Sequence, residues 1–168
     1  NRTDFNWDGG YSFIVSEFRK ATLAGDLFAN RGFVHWRIGT PLSKEYKFEY
    51  FVQKEYNEFI ALKDRILLGG GIRIEPENKH FNKTNTGLVY YIGLGFMYEE
   101  EITNVDEIQV QTRLLRTTDY ITISWYPTEN FSASLTNYIQ FNVARLSDYR
   151  LLSDARLRFH ISEHLAFK

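Results

Sequence analysis

Cysteine is absent from this 168-residue chain, which excludes a disulfide scaffold and any thiolate metal site. Only three prolines occur. No stretch reaches the roughly 18 apolar residues that a membrane-crossing helix needs, and no segment carries the 3.6-residue periodicity of an amphipathic helix. Charge of one sign is lacking too. A formal net charge of −1 gives no electrostatic case for nucleic acid as a partner. The opening residues, Asn1-Arg2-Thr3-Asp4, have no signal-peptide character and already alternate, so a processed or partial N-terminus is expected.

Aromatic residues are plentiful: 14 Phe, 11 Tyr and 3 Trp make up 17% of the chain. Such residues favour strands and bilayer interfaces. The mean hydropathy of −0.37 resembles that of a soluble protein. Alternation hides apolar residues from such an average, because successive strand side chains point to opposite faces.

That alternation is clearest from Phe131 to Ile161. Phe131, Ala133, Leu135, Ile139 and Phe141 share one parity, and Ser132, Ser134, Thr136, Tyr138, Gln140 and Asn142 hold the other. After a break near Ala144, Leu151, Ala155, Leu157, Phe159 and Ile161 alternate with Arg150, Asp154, Arg156, Arg158 and His160. One face is apolar and the other carries charges that do not normally line a soluble core. The pattern predicts an antiparallel, up-and-down transmembrane β-barrel with its apolar side outward.

The same reading sets strands at residues 3–17, 28–39, 45–56, 61–75, 87–99 and 110–126. In the first, Phe5, Trp7, Tyr11, Phe13 and Val15 face one way and Asp4, Asn6, Asp8, Ser12 and Ser16 the other. In the fourth, Lys63, Arg65, Gly69, Gly71 and Arg73 point inward. Residues 18–27 and 76–86 are expected loops, Thr40-Pro41-Leu42-Ser43 and Pro127-Thr128-Glu129-Asn130 tight turns, and Glu99-Glu100-Glu101 to Asp106-Glu107 an acidic solvated loop. Residues 165–168 read as the stub of a further strand. Eight strands are thus visible and ten expected when complete, in one domain over residues 1–168 that lacks a strand, or part of one, at each end. Many strands span 12 or more residues. The globular average is about 5–6, while a tilted membrane strand needs about 9–11.

A polar lumen network is expected from Glu49, Gln53, Arg65, Arg73, Glu99, Arg116, Tyr138, Asp148, Arg150, Asp154 and Arg156. Acids and bases nearly balance on the inward face, as buried charges require. If the 76–86 loop centres near Asn82, Gly69 faces Gly95, Gly71 faces Gly93 and Arg65 faces Glu99. Such balance favours a lumen packed with side chains, the usual state of a barrel of about eight strands. The alternatives are a narrow channel, or a small-ligand cavity lined by Arg116, Tyr138, Arg150 and Arg156.

Chemistry-bearing motifs are sparse. Gly69-Gly70-Gly71 and Gly93-Leu94-Gly95 do not open helices and are not nucleotide loops. His35, His80, His160 and His164 lack metal-ligand spacing. Ser162 and His164 lie in a turn without an acidic or oxyanion partner. No enzyme activity, catalytic residue, metal or cofactor is expected.

Several stretches carry a resemblance: Gly32-Phe-Val-His-Trp-Arg-Ile-Gly39, Glu49-Tyr-Phe-Val-Gln53, Arg65-Ile-Leu-Leu-Gly-Gly-Gly-Ile-Arg73, Gly93-Leu-Gly-Phe-Met-Tyr-Glu-Glu100, Asp119-Tyr120 and Asp148-Tyr149-Arg150. In order and spacing they resemble the YdiY-like family, described as salt-induced outer-membrane proteins of unknown function. The resemblance covers about residues 30–167. It implies a Gram-negative outer-membrane barrel, with outer-membrane lipid, lipopolysaccharide and other envelope proteins as partners. It carries over no catalytic residue, ligand or cofactor. The family would add a strand before Asp4 and continue beyond Phe167, and it has a shorter turn where residues 76–86 stand here. The rival in another class is a soluble lipid-binding barrel, which would reverse the two faces.

Overall fold

A computed structural model describes residues 1–23, 26–76, 87–105, 108–162 and 165–167. Its strands are β1 (Arg2–Trp7), β2 (Gly10–Leu23), β3 (Asp26–Pro41), β4 (Tyr46–Asn57), β5 (Leu62–Ile74), β6 (Gly87–Val105), β7 (Ile108–Thr117), β8 (Asp119–Thr128), β9 (Phe131–Asn142), β10 (Arg145–Ser162) and β11 (Leu165–Phe167). The one helical element among the described residues is the 3-10 turn Glu58–Ile60, whose first turn is capped by Asn57 accepting from the Phe59 N–H.

Every neighbouring pair is antiparallel, in sequence order from β1 to β11. β7 and β8 are collinear. β7 pairs with the second half of β6 and β8 with the first half, in one uninterrupted register, and the Thr118 N–H between them donates to Gly95 O at 2.9 Å. Eleven segments therefore build ten strands, and the sheet rolls into a barrel. Among the described residues no ladder joins β1 to β10 or β11. Side chains on both faces of β1, and of β10 from Leu151 to Phe159, are exposed.

Period-two alternation explains the two surfaces. Trp36, Leu68, Leu94, Phe96, Ile123 and Trp125 stand exposed on the outside, while Glu49, Glu99 and Arg116 are buried inside. The outward faces of β3 to β6 and of β8 to β10 follow the expected parity.

Five expectations are corrected. Residues 3–17 form a hairpin, because Trp7 pairs with Gly10 across the two-residue turn Asp8–Gly9. Gly9 takes φ +70, the left-handed conformation that such turns demand and glycine supplies. The turn reverses the parity, so Phe5 and Trp7 face outward while Tyr11, Phe13 and Val15 line the lumen. Residues 18–27 are mostly strand, with β2 running to Leu23 and β3 starting at Asp26. The β5–β6 register lies two residues from the expected one: Gly71 faces Gly95, Gly69 faces Met97 and Arg65 faces Glu101. Glu99, Glu100 and Glu101 belong to β6, with Glu99 and Glu101 inside and Glu100 outside. A bulge between Leu62 and Asp64 turns Lys63 outward, where its Nζ donates to Gln109 at 3.3 Å. The expected features at residues 77–86, Asp106, Glu107, Glu163 and His164 lie outside the described residues.

Glycines position the lumen aromatics. A Cβ at Gly93 would lie 2.0 Å from the Tyr120 ring, and one at Gly69 would lie 2.5 Å from the Phe51 ring. These rings lie flat on bare backbone. Gly71 and Gly95 serve a closer approach, since a Cβ on Gly71 would lie 2.2 Å from Leu94 O.

Candidate lumen site

Two layers of charged side chains cross the lumen. The first centres on Glu49 of β4, which is only 5% exposed. Tyr11 of β2 donates to one carboxylate oxygen, and Tyr120 of β8 donates to the other at 2.8 Å after crossing above β6 and β5. Arg37 and Arg73 each approach the same carboxylate at 3.4 Å. Arg73 is also held 4.1 Å over the Tyr91 ring. Its Nε lies 2.7 Å from Glu75 but off the N–H direction, so that contact is an ion pair rather than a hydrogen bond.

The second layer centres on Glu99 and Arg116, 1% and 2% exposed. Arg116 Nε donates to Glu99 at 2.7 Å, and Arg116 Nη2 donates to both oxygens of Asp148 at 3.1 and 3.0 Å. Arg150 donates to Glu99 at 2.6 Å, and Arg65 approaches it at 3.3 Å. Arg65 also bonds Glu55 and, through Nε at 2.8 Å, Glu101. Asn142 donates to Asp148 at 3.1 Å. Gln53 extends the layer, donating to Glu55 at 2.6 Å and meeting His35 at 2.9 Å. Burying these charges is tolerable because each is answered by an opposite charge and by hydrogen bonds.

Beside and between the layers is a cavity of about 650 Å³. Its wall includes Phe13, His35 and Phe51, whose rings stack in sequence at 5.8 and 5.6 Å. Tyr138, Gln140, Arg150 and Arg156 close the opposite side. The lumen is thus filled in layers and hollow between them. No group of three or more His, Cys, Asp or Glu is placed to hold a metal among the described residues.

Of the residues expected in the lumen, Glu49 and Arg73 meet in the first layer, and Gln53, Arg65, Glu99, Arg116, Asp148 and Arg150 in the second. Tyr138 packs its ring 5.4 Å from Tyr120 and lines the cavity. Among the described residues Asp154 and Arg156 pair only with each other, in an exposed contact outside both layers, although Arg156 also lines the cavity. The sequence reading missed Tyr11, Tyr120, Glu101 and Asn142 as network members. Parity alone could have found Glu101, two residues beyond Glu99.

These features define an all-β barrel protein with a charge-paired lumen. The chain belongs to the family described as "Protein of unknown function, DUF481", whose model matches residues 2–168. No curated protein and no solved structure matches it.

Proposed function

We propose that this chain is a non-enzymatic barrel of a Gram-negative outer membrane, with a structural or accessory role in the envelope. The observation that carries this reading is the inverted distribution of polarity. Buried side chains in the lumen include Glu99 and Arg116, while large apolar side chains stand on the outer wall. An apolar outer band around a polar interior is what a membrane barrel requires. A soluble lipid-binding barrel requires the reverse. Aromatic residues near strand ends, among them Trp7, Trp125, Tyr46 and Tyr56, suit interfacial girdles, with lipid and lipopolysaccharide as surroundings. The YdiY-like resemblance supports the same location. The non-enzymatic role is supported by the lumen carboxylates themselves, which guanidinium and phenol groups hold in place.

The test is recovery without detergent. The full chain should partition with membranes and stay folded only in detergent or lipid. A folded monomer in plain buffer would overturn the reading. The cavity of about 650 Å³ favours a second reading, a narrow channel. Planar-bilayer recording decides between them: the packed layers predict no steady ohmic current, and such a current would establish the channel.

A further inference from the structure

The outer wall is apolar at mid-height on β3 to β6, where Trp36, Tyr50, Gly70 and Leu94 face outward. On three adjacent strands it is not. Asp119 of β8, Asn137 of β9 and Ser153 of β10 occupy the corresponding outward positions. Their neighbours in register show this: Asp119 faces Ile139, Asn137 faces Ile121 and Ser153 faces Asn137. The inward partners on the same strands, Arg116, Tyr120 and Tyr138, fix the parity. Other outward charges, such as Lys54, Asp64, Glu100 and Arg113, lie toward strand ends and pair with one another.

A carboxylate facing lipid at mid-height is costly and belongs where protein covers it. The hydrogen bonds present leave a specific pattern. Ser153 Oγ donates to Asn137 Oδ1 at 2.6 Å, which occupies the amide oxygen and orients the amide N–H groups. Among the described residues Asp119 accepts through Oδ1 only, from the Gly95 N–H at a long 3.4 Å. The face therefore offers a carboxylate acceptor and an amide donor side by side on neighbouring strands. A two-fold axis along the barrel axis, passing between β8 and β9, brings Asp119 of one copy opposite Asn137 of the other, and the reverse. Such reciprocal contact is what an isologous dimer needs. The surrounding Ile121, Ile123, Leu135 and Leu151 supply apolar area, and Ile121 of one copy would face Leu135 of the other.

Resting on the membrane reading above, we infer that the β8–β9–β10 outer face is a homodimer interface within the bilayer. Its central contacts are Asp119 to Asn137 of a second copy, made twice.

The test uses the absence of native cysteine. Leu135→Cys places a thiol beside the axis, and Leu68→Cys places one on the far wall. The full chain is reconstituted in phosphatidylcholine–phosphatidylglycerol liposomes and treated with a short bis-maleimide. Folding is checked by heat-modifiable gel mobility. Folded Leu135→Cys protein should give a cross-linked dimer at least tenfold more abundant than Leu68→Cys. Adding Asp119→Leu or, separately, Asn137→Leu should reduce that dimer severalfold; either variant that keeps its folded mobility serves. Equal labelling of both sites without dimer, or a dimer indifferent to both substitutions, would overturn the inference. Recovery of folded protein without lipid or detergent would instead remove the membrane reading on which it stands, before any cross-link is scored.

Discussion

Glu99 lies within hydrogen-bonding or ion-pairing distance of three guanidiniums, those of Arg65, Arg116 and Arg150, and has almost no contact with solvent. Removing one partner of a buried ion pair strands the other charge. Arg116→Ala should therefore cost about 3–5 kcal/mol, read from urea unfolding of reconstituted protein, because Glu99 loses its one fully buried guanidinium and Asp148 loses its nearest. A cost near zero would show that water already reaches this layer. Gly93 tests packing at the same scale. With the Tyr120 ring where its Cβ would stand, Gly93→Ala should cost about 1–3 kcal/mol. In a Tyr120→Ala background most of that cost should vanish, since the obstacle has gone. A cost that persists would place the strain in the backbone instead. Much of this residue-level chemistry was legible in the sequence only as an inventory. Parity placed Glu49, Arg65, Glu99 and Arg116 inside, but which charge meets which depends on register and on the curvature that carries Tyr120 to Glu49. Neither leaves a local trace in the chain.

At the scale of the strand, alternation was readable wherever a strand has one polar and one apolar face, as in β9 and β10. It failed where the lumen is aromatic. Tyr11 and Phe13 look like lipid-facing residues, so the apolar pattern ran across Asp8–Gly9 and concealed a hairpin that the Asp-Gly pair itself signals. The two-residue error between β5 and β6 arose in the connection between those strands, where the sequence gives no centre. Bulges such as the one at Leu62–Asp64 leave no periodic mark either. Strand height also makes a prediction. Leu94 faces outward near the middle of β6, and Tyr98 faces outward nearer one end of its apolar band. In bilayers, Leu94→Arg should cost about 2–4 kcal/mol and Tyr98→Arg about 0–1 kcal/mol. Folding titrations in liposomes check this. Equal, small costs at both positions would mean that the outer wall faces water.

At the scale of the whole molecule, fold class was the most legible property, because ten strands repeat the same two-faced signal. The layered lumen was less so. Charge balance predicted filling, whereas the molecule holds two packed layers and a cavity between them. The layers rather than the cavity should limit permeation. Replacing Glu99 and Arg116 together with Ala should turn a silent barrel into one that passes small ions, seen as discrete steps in planar bilayers. Continued silence in a correctly folded double variant would place the block in the Glu49 layer. The central claim, that the apolar wall faces lipid, is tested most directly by tryptophan fluorescence. All three tryptophans, Trp7, Trp36 and Trp125, stand exposed on the outer wall. In liposomes made with brominated acyl chains the emission should be strongly quenched, with Trp36 at mid-height contributing most, while aqueous iodide has little effect. Emission that ignores the brominated lipid and is quenched by iodide would contradict the account.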